Sequence, residues 1–304
     1  MASTTRDDLL VAVEAFKTAV DDPVVRAGDA VGDLLRRGLT VSGFNLLETF
    51  IAGRMGEIAS HVNSGSSQFV DLPDALQVRA IKNTISVASG RVRRMGREPA
   101  TLRAFARSLG ASLSAVDRTL ELSPLTWMWS GSNMASDDYH QILRAFHVKD
   151  PWVTANAIAT RMGYGSLDLR VAIDDLARER HKCAHEARHG VTALWLRSVP
   201  ERVTAAAACF DVLASIAAAQ LRTGSQAFFK NTDAIDGTSL QFRRVVDRGR
   251  DSAEMLEGAR RAYRTDRDAS ALFSAAAGRC TDREAVIAQS ATGDLTRWAV
   301  PAIG

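Results

Sequence analysis

Apolar residues recur along most of this chain at helical spacing, three and four apart. The cleanest run is 41–62, where Phe44, Leu47, Ile51, Met55, Ile58 and Val62 fall on one stripe. Residues 6–21 form an earlier helix, and Asp21-Asp22-Pro23 stops it and opens a second that runs to about Arg37. Asn63–Ser67 is a polar loop. Further helices follow Pro73 (to about 89), Pro99 (to about Leu109), Ser136 (through Phe146) and Pro151 (ended by Gly163 and Gly165). Residues 123–135, with Trp127 and Trp129, read as irregular. Ser166 caps a long helix through His185, Gly190 breaks the pattern, and Pro200 opens an Ala-rich helix to about Arg222.

Beyond Gly224 the pattern changes. Residues 231–240 are polar and turn-rich, helices are expected at 251–264 and 269–277, and alternation marks one strand pair, 285–289 with 295–300, around Thr292-Gly293-Asp294. The expected fold class is therefore all-α: a helical domain over 1–225, then a small helix-plus-hairpin appendage over 236–304, with a boundary near 225–236.

Composition narrows this modestly. At 304 residues, 46% hydrophobic and 24% charged, the chain is an ordinary globular one. The net charge of +3 permits nucleic-acid binding without demanding it. Only five of the 38 basic residues are Lys, and this bias with abundant Ala is that of GC-rich bacterial coding sequence. Three cysteines without CxxC spacing suit a reducing compartment. The start, MASTTRDDLL, has no apolar signal core, and Ala205–Ala219, interrupted by Asp211, reads as a buried helix rather than a membrane span. A cytoplasmic protein without membrane attachment is expected.

The chemistry gathers at Arg180-His181-Lys182-Cys183-Ala184-His185. Arg-x4-His occurs once, a count that chance alone supplies (roughly 0.65 expected for this composition), so context must carry it. On a helical wheel Leu169, Ile173, Leu176, Arg180 and Cys183 share one stripe, which places Arg180 at the packed face. Glu48 lands on the apolar stripe of 41–62 in the same way, and two opposite core-facing charges suggest one buried pair. A structural ion pair that fixes helix register fits these residues as well as a catalytic one. His185 points away from the stripe, with His181 and His189 on that outer face. No acidic or cysteine cluster completes a metal site around them, and no metal or other cofactor is expected. Arg91, Arg93, Arg94 and Arg97, continued by Arg103 and Arg107, are candidates to track an RNA backbone, or an ordinary solvated face. Trp127 and Trp129 are candidates to stack bases, or loop anchors.

The Arg180-His-Lys-Cys-Ala-His185 segment ends a long helix and is followed by a turn and another long helix. It resembles the Arg-Asn-x-x-Ala-His signature of HEPN domains. Phe44-Asn-Leu-Leu-Glu48-Thr-Phe50 resembles the acidic-aromatic helix of their RiboL-PSP-like branch. Helices in matching order cover roughly 1–225. His181 departs from the family, standing where Asn is usual. The resemblance implies a HEPN-type bundle and a metal-independent endoribonuclease acting as a toxin or antiviral defence effector. In such a protein a His, here His185, helps move the proton of the ribose 2′-hydroxyl, Arg180 steadies the phosphorane and Glu48 holds Arg180, with His181 a supporting member of the candidate catalytic set. It also implies a homodimer with a composite active site, an RNA substrate, and an antitoxin or activator as a possible partner. A non-catalytic binding module and an activator-dependent protein remain alternatives.

Overall fold

The computed structural model describes residues 3–65, 67–114, 120–129, 131, 133–230 and 233–303. Within the segments expected to be irregular, Ser66, Ser130, Ser132, Asn231 and Thr232 lie outside the described residues. The helices are α1 (Thr4–Val20), α2 (Pro23–Arg26), α3 (Ala30–Asn63), α4 (Asp74–Arg94), α5 (Pro99–Ser114), α6 (Ser136–Ala145), α7 (Pro151–Met162), α8 (Leu169–His185), α9 (Ala193–Thr223), α10 (Gln226–Phe229) and α11 (Ala269–Ala277).

The stripe Phe44, Leu47, Ile51, Met55, Ile58, Val62 is buried throughout, and it packs on α9. α9 is the axle of the molecule: α1, α3, α6, α7 and α8 all touch it. The segment 205–219 is wholly buried within it. Long and apolar enough to cross a membrane by length and composition, α9 lies 94% buried inside the protein over that window. The approach of α3 to α9 is set by Gly43, where an added Cβ would meet Val199 Cγ1 at 2.6 Å.

Several expected boundaries differ: α4 runs past 89 to Arg94 and α5 past Leu109 to Ser114. The helices expected at 23–37 and 41–62 are a four-residue turn and one unbroken α3, because Asp29 caps at Gly32 N–H and nothing breaks the helix between 37 and 41. Pro200 lies inside α9 rather than opening it; Thr192 is the N-cap, through its side chain to Trp195 N–H. Likewise Asp168, not Ser166, caps α8.

The chain is not all-α. A five-stranded mixed sheet overturns that expectation: β1 (Gln241–Asp247), β2 (Ser252–Leu256), β3 (Arg264–Asp266), β4 (Glu284–Gln289) and β5 (Leu295–Ala299), in the order β3-β2-β1-β4-β5. β1 and β4 run parallel, joined through α11; the other neighbours are antiparallel. Only the β4–β5 pair is legible in the sequence pattern. The stretch expected as a helix over 251–264 is β2, a turn with Gly258 at φ +78°, and β3. Its residues are good helix formers, but β1 supplies cross-strand partners, Val245 opposite Glu254 and Val246 opposite Ala253, and pairing outweighs local preference.

The sheet alternates as a two-sided layer should. Val245 and Val286 face Leu272, Phe273 and Ala276 of α11. Phe242, Ala285, Ile287, Leu295, Trp298 and Val300 join the same continuous core as α3 and α9. The helices before the sheet end at Phe229 and the first strand begins at Gln241, and the two parts share one interior.

Candidate active site

α8 projects the chemistry by losing its cover. Leu169, Ile173 and Leu176 are buried; one turn on, Arg180 and Cys183 are half-buried; His185 is exposed, and His181 stands beside it on the outer face. The apolar stripe thus runs out before the helix does. The outer face of the last turn is exposed near its C-terminal carbonyls, a setting that favours cationic side chains. The His181 and His185 rings lie 4.6 Å apart between centroids, tilted by 50°.

α3 lies alongside. Arg37 of α3 donates to the Ala187 carbonyl just beyond α8, and Thr40 hydrogen-bonds the Cys183 thiol. Burial pushes that thiol up from its ordinary range. Further along α3, Glu48 is half-buried and accepts a hydrogen bond from Met134 N–H. Desolvation raises the Glu48 carboxyl, while the Met134 hydrogen bond and the Arg180 charge pull the other way and lose.

Arg180 and Glu48 are therefore brought into electrostatic reach, as their stripes suggest, but they form no direct ion pair within 4.0 Å. Arg180 Nε is buried with no hydrogen-bond partner among the described residues. A buried guanidinium N–H without an acceptor is costly, and an anion reaching the half-buried Arg180 side chain would relieve it. His189 leaves the outer face assigned to it; past the helix end it folds back, and its Nε2–H donates to Glu179 Oε2 at 2.7 Å. Burial works against the Glu179 charge, but His189 and Lys182 outweigh it and hold the carboxyl below its usual range.

No family model, no curated protein and no solved structure matches the chain.

The remaining candidates fall elsewhere. Arg91, Arg93 and Arg94 are exposed at the end of α4 and Arg97 in the turn after it, with Arg91 lying over the Phe105 ring at 5.6 Å. No hydrogen bond, ion pair or ring contact among the described residues joins them to Arg180 or His185. Trp127 is fully buried, stacked on Phe146 with centroids 4.3 Å apart, so it anchors its loop and has no face for a base. Trp129 is half-buried against the core. Among the described residues no three His, Cys, Asp or Glu side chains gather as metal ligands do.

Sequence reasoning missed the most strongly built polar centre. Asp211, fully buried in α9, accepts from Arg54 Nε at 2.6 Å, Ser215 Oγ at 2.7 Å, Arg6 Nε at 2.9 Å and Trp298 Nε1 at 2.8 Å. Desolvation opposes its charge, but the two guanidiniums hold the carboxyl far below its ordinary range. Arg54 also binds Glu57 at 2.6 Å, and Glu57 accepts from Ser3 and Thr5; against the cost of burial these bonds bring its carboxyl down to about 2. The signal was Asp211 itself, the one acidic residue in the apolar half of its helix. Its partners lie 205, 157 and 87 residues away, where no local pattern points. Asp211 and the four side chains that bond it are all buried, so this centre is architecture rather than catalysis.

Proposed function

We propose that the chain is a metal-independent endoribonuclease of the HEPN type, working at the exposed end of α8. The observation that carries the reading is the grouping, over the last turn and a half of α8, of a half-buried guanidinium whose Nε–H has no partner among the described residues and two imidazoles with ring centroids 4.6 Å apart. A phosphodiester is the substrate these groups suit. The guanidinium takes the phosphoryl oxygens, and imidazole is the side chain that both accepts and donates protons near neutrality.

In the proposed reaction an imidazole nitrogen of His185 accepts the proton of a ribose 2′-hydroxyl as its oxygen attacks the adjacent phosphorus. Arg180 neutralises the charge gathering on the non-bridging oxygens. The bond from phosphorus to the 5′-oxygen breaks, and that oxygen takes a proton from a second imidazole. The products are a 2′,3′-cyclic phosphate and a free 5′-hydroxyl. The second imidazole is His181 of the same chain or a histidine of a second copy docked against this end. Glu48 is a positioning residue: held by Met134 N–H, it keeps a partial negative field beside Arg180 without occupying the guanidinium.

Purified protein is expected to cut single-stranded RNA in EDTA and to leave 2′,3′-cyclic ends. His185→Ala and Arg180→Ala should each lose about a hundredfold or more. Expression in bacteria should slow growth for the wild type and not for either variant. Cutting that disappears on chelation, or equal growth with all three proteins and no cleavage in vitro, would overturn the reading.

A further inference from the structure

One hairpin carries a positive excess larger than that of the whole chain. Residues 74–114, the α4–α5 hairpin, carry eight basic side chains (Arg79, Lys82, Arg91, Arg93, Arg94, Arg97, Arg103, Arg107) against two acidic ones, Asp74 and Glu98. That excess of six is twice the +3 of the whole chain, so everything outside the hairpin sums to −3. The hairpin is peripheral: α5 buries no residue completely.

Between α4 and α6 lies a hollow of about 440 Å³, walled by Arg79, Lys82, Asn83, Ser86, Gln141 and Arg144. No carboxylate lines it. Arg79 is anchored, donating from Nε to the Thr126 carbonyl at 3.0 Å, and its charge is faced by Asp137 and Asp138 at the start of α6. Lys82 and Arg144 are exposed and have no hydrogen-bond or ion-pair partner among the described residues. Arg144 is also shared with a second hollow of about 870 Å³, where Lys149 and His147 line the wall with Asp233, Asp236 and the Arg283 that Asp233 pairs. In the other direction, Arg93 lies eleven residues beyond Lys82 on α4. That is about three turns, or about 16 Å, on nearly the same helical face. Cationic side chains therefore extend from Arg144 past Lys82 to Arg93, whose guanidinium also reaches Ser89 Oγ at 3.5 Å. Beside them on α4 are exposed Val78, Ile81 and Ile85, an apolar flank for the faces of unpaired bases, which a duplex keeps stacked inside.

We propose that this track binds the phosphodiester backbone of single-stranded RNA, with the α4–α6 hollow as its principal phosphate subsite and Lys82 and Arg144 as its phosphate contacts. The proposal rests on the ribonuclease reading for the choice of RNA, and it places the substrate's flanking backbone on a surface separate from the α8 end where the cut is made.

The test uses the full-length wild type and a fluorescein-labelled 15-nucleotide RNA that is 2′-O-methylated throughout, which 2′-hydroxyl attack cannot cleave. Fluorescence anisotropy gives Kd across a salt series. For Lys82→Ala/Arg144→Ala, Kd at low salt should rise about tenfold, and the slope of log K against log salt should fall by about 1.4, at about 0.7 for each single-strand phosphate no longer neutralised. Arg248→Ala/Arg250→Ala removes the same charge from the exposed β1–β2 turn and should change neither. Wild-type protein that does not bind the oligonucleotide, a slope unchanged in the Lys82/Arg144 variant, or an equal fall in the control pair would overturn the proposal. So would equal competition by polyglutamate of matched charge, which would mark the track as a surface for an acidic protein. Binding that behaves as expected while natural RNA stays uncut would keep the track and remove the nuclease.

Discussion

At the residue scale, the reading turns on His181 and His185, which share one helical turn but not one role. His181 stands where the resembled signature has Asn, a side chain that hydrogen-bonds but does not titrate. His185→Ala should lose about a hundredfold or more; His181→Asn should lose as much where His181 is the second imidazole and stay within about tenfold where a second copy supplies it. Rates of 2′,3′-cyclic phosphate formation from a short RNA across pH 5–9 measure this, and a larger loss in His181→Asn than in His185→Ala would reverse the assignment. The helical wheel turns His181 and His185 away from the packed stripe, and the structure has both exposed. It puts Arg180 deeper than it lies, because a wheel has no axial coordinate: Arg180 is on the apolar stripe but at the turn where the stripe reaches the surface. Nor does it see that Met134 N–H occupies Glu48, since that donor comes from a loop with no periodicity.

At the scale of elements, α3 and α9 decide how the helices assemble. Apolar spacing makes both visible in the sequence, down to individual buried residues on α3. What spacing does not reveal is how closely they meet. Gly43 looks like a poor helix residue, and its reason is Val199: a Cβ there would sit 2.6 Å from Val199 Cγ1. Gly43→Ala should therefore cost about 1–3 kcal/mol despite the better helix propensity of Ala. Adding Val199→Ala should make the two costs less than additive, because the smaller partner frees the space. Urea melts of the two single variants and the double variant give the coupling directly; full additivity would mean that the helices are not in tight apposition there. The strands are hidden for the opposite reason. Ser252-Ala-Glu-Met-Leu256 carries helix-forming residues, and its strand state is stabilised by β1 and by Arg243 and Arg279, which hold the fully buried Glu254.

For the molecule as a whole, Asp211 ties the helical part and the sheet into one cooperative unit. Trp298→Phe keeps a ring against Phe50 but removes the Nε1–H that donates to Asp211. The expected loss is about 1.5–3 kcal/mol, the range for a hydrogen bond to a charged group, with a single unfolding transition retained. A melt that splits into two steps would mean separate domains. Acid should act in two stages. His61 is half-buried, its Nε2 has no partner among the described residues, and burial with nearby Arg222 and Arg54 lowers it to about 4. A histidine depressed in the folded state binds its proton more readily when unfolded, so its contribution is complete above about pH 6.5 and declines as pH falls towards 4. Glu57, lowered to about 2, adds stability that is complete above about pH 4.5 and is lost between there and 2. Chemical denaturation from pH 7.5 to 3 should show both declines, and His61→Gln should reduce the upper one, leaving the part due to His147, which burial also lowers. Asp211 has a further consequence in the order of synthesis. Two of its donors, Arg6 and Arg54, precede it along the chain, while the indole of residue 298 arrives only at the end. A nascent chain carrying all of α1 to α9 still holds an incompletely bonded carboxylate at its centre and an uncovered Phe50. The helical part therefore gains its last bond to Asp211 only when the sheet is made, and a fragment cut at 225 should melt at lower urea than the whole chain.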